Sequence, residues 1–192
     1  MNIKEIAHKS IDFTIKRTFE LIGTTLILFS ILLASALLSY SPDDPNFIFP
    51  ENIEIKNLLG AKGSFVSDIL FQSMGLISFL IPITIFFTGL KIFKNKKILI
   101  LVENLFFTIL YCVFGSIFFS SFLSDSFWLA INGNGGFIGN FLSGKFIISL
   151  INLNKNVSYY FLLIITIVIF LISINFNLKS TINFFKLIIY FF

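Results

Sequence analysis

Four stretches without a single charged residue dominate this chain. They cover residues 21–42, 69–90, 104–124 and 156–178, and each is 21 to 23 residues long. At about 1.5 Å of rise per residue, a helix of that length reaches across the roughly 30 Å hydrocarbon core of a bilayer. A transmembrane β-strand needs only about 9–11 residues and alternates apolar with polar. These runs are longer and continuously apolar, so they predict helices. Composition agrees. Apolar residues make up 56% of the 192, charged residues only 12%, and the mean hydropathy is +0.94. Too few polar side chains remain to cover a water-exposed surface. The expected fold is an all-α integral membrane protein with four transmembrane helices, spanning about 20–41, 68–90, 98–124 and 156–178. Residues 1–19 would form an amphipathic lead-in and 179–192 a tail.

The net charge of +4 matters less than its placement. Ten of the fourteen Lys and Arg residues fall before the first run, between the second and third, or after the fourth. The remaining four are Lys56, Lys62, Lys145 and Lys155, while Asp43, Asp44, Glu51, Glu54, Asp68 and Asp125 lie in or beside those lysine-poor loops. Lysine and arginine mark the cytoplasmic side. Both termini are therefore expected in the cytoplasm, and the loops after the first and third spans outside. Tyr40, Trp128, Tyr159 and Tyr160 fall at the expected outer boundary, where amphipathic rings settle. Ala34-Ser35-Ala36 has the pattern of a signal-peptidase site, but the apolar run is 22 residues long and continues past it, so the span reads as an uncleaved anchor. Ile11, Ile15 and Phe19 share one face of the lead-in, and Lys16 and Glu20 are spaced to pair. Docking on anionic headgroups and a plain solvated lead-in both fit this pattern.

Catalytic chemistry finds no foothold. There is no phosphate-cradling GxxxxGK[ST], no HExxH, no G-x-S-x-G, one histidine (His8) and one cysteine (Cys112). No cofactor or metal is expected. Paired Asp43 and Asp44 suit a turn more than a cation site. Transporters place ionisable groups near the midplane. Glu103 is the one candidate, and it sits near the expected start of the third span, where a carboxylate at the headgroup boundary is the simpler reading.

The outer segments carry more information. In Ser39-Tyr40-Ser41-Pro42-Asp43-Asp44-Pro45 the prolines stop the first helix. After Asn57, Gly60 and Gly63 permit a tight turn or close backbone approach, Ser64 is a candidate cap for the second helix, and Asp68 suits its positive end. Pro82 is a candidate kink, with Gly75 and Gly89 bracketing the span. In the second outer segment, Gly135, Gly136 and Gly139 precede Ser143. A small-residue packing face and a re-entrant loop are both open there. Residues 146–153 are apolar but too short to span.

The segments SYSPDDPNF and NLLGAKGSFVSDILFQSMG, with GGFIG after the third span, resemble the N-terminal membrane domain of the FtsK/SpoIIIE cell-division DNA translocases. Ser39, Tyr40, Asp43, Asp44, Pro45, Asn57, Gly60, Gly63, Asp68 and Gly75 match that family's pattern around the first outer loop. The resemblance implies a non-catalytic anchor in the bacterial inner membrane at the division septum. Its partners would be the lipid bilayer, other copies of itself (a hexamer by family resemblance) and divisome membrane proteins. The family's ATPase motor needs a Walker A loop. These 192 residues contain none, so DNA contact and translocation are not expected of them. Residues 181–192 are apolar, unlike the polar linker that precedes a motor.

Overall fold

The computed structural model describes residues 3–44, 54–124, 129 and 131–176. The described residues form helices and turns without strands. Four helical stretches are long and apolar enough to cross a membrane: His8–Leu38, Gly60–Asn95, Leu99–Phe122 and Lys155–Ser173.

Helix α1 (Ile3–Leu38) is a single 36-residue helix. Its length is about 54 Å, well beyond a hydrocarbon core. The lead-in is thus not a separate element but the continuation of the first span. Glu20 accepts from Arg17 at 2.6 Å and from Lys96, rather than from the Lys16 that spacing suggested.

The second candidate span is broken. Helix α2 (Gly60–Met74) ends at Gly75, a short 3-10 turn covers Gly75–Phe79, and helix α3 (Leu80–Asn95) follows. Gly75 has φ +73°, a conformation that glycine adopts without steric cost. The break therefore falls at Gly75. Pro82 lies in the first turn of α3, where its missing N–H interrupts no helical bond. Helix α4 (Leu99–Phe122), short helices α5 (Gly136–Leu142) and α6 (Ile148–Leu153), and helix α7 (Lys155–Ser173) follow among the described residues.

Apolar lipid tails give two apolar helices little reason to associate, so packing rests on close approach and on polar contacts. Helix α1 packs along α3, where Gly23 and Gly89 face each other. A Cβ on either would lie 2.7–2.8 Å from the other's carbonyl oxygen. Helix α4 packs along α7, with the Tyr159 ring 5.2 Å from those of Phe118 and Phe122, and Tyr111 edge-on to Phe170 at 5.5 Å. Buried hydroxyls and amides join the two pairs. Thr84 Oγ1 lies 3.1 Å from Tyr111 Oη and 3.2 Å from Ser173 Oγ. Asn104 Nδ2 donates to Thr88 Oγ1 at 2.7 Å, and Asn175 Nδ2 donates to Asn104 Oδ1 at 3.1 Å.

The bundle has two distinct ends. The loops after α1 and α4 meet at one, here termed the capped end. The N-terminal part of α1 and the α3–α4 turn lie at the other, the terminal end. Between α1 and α4, on the terminal side, a cleft of about 220 Å³ opens over α3. Thr84, Thr88, Asn104 and Thr108 line it together with aliphatic side chains, and Leu105, 55% exposed, stands at its rim.

A polar cap as the candidate functional site

Prolines donate no backbone hydrogen bond, and the final carbonyls of a helix have no intrahelical donor. The first loop meets both needs with its own side chains. Asn57 Nδ2 reaches back to the carbonyls of Ala36 at 2.9 Å and Ser39 at 3.4 Å, closing the end of α1. Ser39 Oγ accepts from the Leu58 amide at 3.0 Å. Asp44 is 1% exposed, and its two oxygens accept from the amides of Lys56 at 2.8 Å and Asn57 at 2.9 Å. Asp43, by contrast, is exposed and pairs with Lys56 Nζ at 3.0 Å. That hydrogen bond, reinforced by the carboxylate charge, holds the ammonium pKa above its usual value. The acid pair thus divides its work, Asp44 holding the returning backbone and Asp43 the Lys56 ammonium. Pro45 lies outside the described residues.

Helix α2 starts where Asn57 lets it start. Asn57 Oδ1 accepts from the Leu59 amide at 3.1 Å and its carbonyl from the Gly60 amide at 2.9 Å, while Gly60 takes φ +65°. Leu59 holds the N-cap position, so Ser64 is not the cap; it is buried one turn inside the helix. Gly63 lies against the Asn57 side chain, with no room for a Cβ. One turn on, buried Asp68 accepts from Tyr40 Oη at 3.1 Å. The Tyr40 ring packs on Phe71 at 4.9 Å. Burial first, and the Asp68 charge second, raise the Tyr40 phenol above its ordinary pKa, so it remains a donor.

The second loop closes on the end of α2 and the turn that follows it. Gly136, φ +64°, presses on the Met74 and Gly75 backbone. The Leu76 amide donates to the Asn134 carbonyl at 2.9 Å, and a Cβ on Gly75 would collide with that same carbonyl. Gly135 and Gly139 rest on Ser120 and Ser116 of α4, and Ser116 Oγ donates to the Met74 carbonyl at 2.7 Å. The glycine-rich segment is therefore a small-residue packing face on a seven-residue helix, not a further span. Asn132 Nδ2 donates to the Gln72 carbonyl at 3.2 Å and to its Oε1 at 3.0 Å. Gln72 Nε2 reaches Asp68 Oδ1 at 3.4 Å, Asn140 Nδ2 donates to the Asn132 carbonyl at 2.8 Å, and Ser120 Oγ donates to Asn140 Oδ1 at 2.6 Å. A connected polar path runs from Tyr40 to α4.

The cap thus gathers Ser39, Tyr40, Asp43, Asp44, Asn57, Gly60, Gly63, Asp68, Gly75, Gly135, Gly136 and Gly139 into one structure. Gln72, Asn132 and Asn140, which connect the two loops, carried no individual signal in the sequence. Their type is common in loops, and only the fold places them together. Tyr159 and Tyr160 lie at the same end; Trp128 falls outside the described residues. Among the described residues no three of His, Cys, Asp and Glu cluster as metal ligands. The buried carboxylates accept from backbone amides and a phenol. Glu103 is exposed on α4, within electrostatic reach of Lys91, and does not line the cleft.

Residues 15–186 match the family of the 4TM region of DNA translocase FtsK/SpoIIIE. Among curated proteins, the DNA translocase FtsK of Rickettsia bellii (strain RML369-C) is 40% identical over 62 residues, 32% of this chain and 8% of that one. That of Rickettsia prowazekii (strain Madrid E) is 43% identical over 53 residues, covering 28% and 7%. The Azospirillum brasilense protein is 30% identical over 88 residues, covering 45% and 14%. The matches span less than a fifth of the length of these relatives. No solved structure matches the chain. Four apolar helices, the capped loops and a match over most of the length make this chain a member of the family of the 4TM region of the FtsK/SpoIIIE DNA translocases, a multi-pass membrane protein of the bacterial inner membrane that corresponds to their membrane part and not to the ATPase motor.

Proposed function

We propose that the chain is the anchoring, septum-targeting and oligomerising domain of a DNA translocase in cell division and chromosome segregation, non-catalytic by itself. Both termini face the cytoplasm and the cap faces outward. The observation that carries this reading is the cap itself. The described residues that match the family pattern build one polar face around the end of α2. A rigid exported face suits recognition of other divisome membrane proteins. The lysine-rich terminal end suits the cytoplasm, where a motor acts on DNA, and this chain does not itself contact nucleic acid. The transporter reading gains nothing from Glu103, which does not line the cleft.

The test is localisation. A fluorescently tagged chain in dividing cells is expected to concentrate at the septum, and a Gly136→Val variant that inserts normally is expected to lose that enrichment. Uniform membrane fluorescence of the unaltered chain contradicts the reading.

A further inference from the structure

Helix α1 carries a face that its own chain does not use. Every seventh residue from Ile11 gives Ile11, Thr18, Thr25 and Leu32; every seventh from Thr14 gives Thr14, Leu21, Leu28 and Ser35. On a helix these steps of three and four form one stripe, the a and d positions of a heptad repeat. Seven of the eight residues are exposed, and Ser35 is partly buried. The buried residues described in α1 are Gly23, Ser30, Leu33, Ala36 and Leu37, and all of them fall off the stripe. Gly23, which meets Gly89 of α3, lies on the opposite side of the helix, and so do Asp12 and Lys16. The stripe is thus the back of α1, turned away from the bundle.

The stripe continues beyond the membrane. Glu20, paired with Lys96 of the α3–α4 turn, marks the terminal end of the bundle. Helix α1 runs on past it without a break. The part before Glu20 therefore projects along the line of the span and does not lie flat on the bilayer. Ile11, 56% exposed, and Ile15 beside it, 48% exposed, still present apolar side chains there. Covering such surface is favourable in water, and lipid is not at hand to do it. The complement has to follow one register from water into hydrocarbon. An identical helix meets that requirement. Copies inserted in one orientation bring their α1 helices together in parallel, and parallel helices meet every 3.5 residues. The residue types fit both media. Threonine and serine let helices approach closely in lipid and bond across the contact. In a parallel pair each stripe threonine stands opposite its own counterpart. Thr18 Oγ1 donates to the Thr14 carbonyl at 3.0 Å and Thr25 Oγ1 to the Leu21 carbonyl at 2.9 Å, so each hydroxyl oxygen retains capacity to accept from the facing one.

We infer that this stripe is the surface through which the chain pairs with a second copy of itself, as a parallel, left-handed helix pair running from Ile11 to Ser35. The inference rests on the oligomerising role proposed above and names the surface that serves it.

Single cysteines in the full chain, in a Cys112→Ala background, test it by oxidation in native membranes. The stripe set is Thr14→Cys, Thr18→Cys, Leu21→Cys, Thr25→Cys and Leu28→Cys. The off-stripe set is Asp12→Cys, Lys16→Cys and Leu26→Cys. Covalent dimers are expected to form about tenfold faster across the stripe set, because a formed pair holds the two thiols at high effective concentration. Ile11→Lys, added to Thr25→Cys, is expected to slow its linkage severalfold while the chain inserts normally. Equal rates in the two sets, or no linkage in the stripe set, overturns the surface. Amine-reactive cross-linking of the same membranes separates this from failure of the oligomerising role. Multimers without stripe linkage leave that role standing and place its contact elsewhere; a chain that stays monomeric contradicts both.

Discussion

At the capped end, both loops are tied to α2 by hydrogen bonds, Tyr40 through Asp68 and Asn132 through Gln72, and the second is tied on to α4. At the terminal end, α1 and α4 part around a cleft, and Glu20 with Lys96 joins α1 to the α3–α4 turn. The same bundle therefore has a braced end and a yielding one. In lipid this contrast is consequential, because apolar surfaces of helices gain little by meeting. Stability concentrates where backbone groups are satisfied and glycines allow contact. At the terminal end the Thr88–Asn104–Asn175 hydrogen bonds still tie α3 to α4 and to the end of α7, so opening is expected between α1 and α4.

The contrast breaks most readily at the glycines. Gly75→Ala and Gly136→Ala each combine a positive φ with collision against facing backbone. Each is expected to cost about 3 kcal/mol or more in reversible unfolding in mixed detergent. Gly60→Ala, with positive φ but open space around it, is expected to cost about 1 kcal/mol. Gly144→Ala, with neither constraint, is expected to be silent. Equal effects across this series would remove the reason for treating the capped end as special.

Asn57→Ala follows in size. It leaves the Ala36 carbonyl and the Leu59 amide without partners, for about 2–3 kcal/mol. Tyr40→Phe removes one hydrogen bond, about 1 kcal/mol near neutral pH. Because the folded state raises the Tyr40 pKa, its contribution is complete below the ordinary phenol value of about 10 and fades above it as the unfolded chain ionises. The gap between Tyr40→Phe and the unaltered protein is thus expected to narrow in alkaline unfolding curves. Smallest is Glu20→Gln at the terminal end, a change near the limit of detection and reduced further by salt.

Much of this was legible before any coordinates. Long charge-free runs require helices in a bilayer, and prolines at 42 and 45 require a turn. Gly60 and Gly63 were read for a turn and for close approach, and they serve one each. Other features needed the fold. Asp43 and Asp44 are neighbours of one chemical type, and only the returning chain at Lys56 and Asn57 decides which is buried. Gly75 looked like the edge of a span, yet it divides a helical run because Asn134 occupies the space a side chain would need. Ser64 has the right type for a cap, but the turn at Asn57 starts the helix earlier, at Gly60 with Leu59 in the N-cap position. Gly23 drew no attention, since a glycine in an apolar run is unremarkable until Gly89 stands opposite.

The central claim is that the two loops form one cap. Cysteine cross-linking in native membranes tests it most directly. In a Cys112→Ala background, Gln72→Cys and Asn132→Cys are joined with a short bifunctional thiol reagent, and Leu26→Cys with Leu105→Cys serves as a pair across the cleft. The account predicts rapid, near-complete intramolecular linkage of the cap pair and slower, partial linkage across the cleft. Failure of the cap pair to link within one chain, with both thiols reactive, would contradict it.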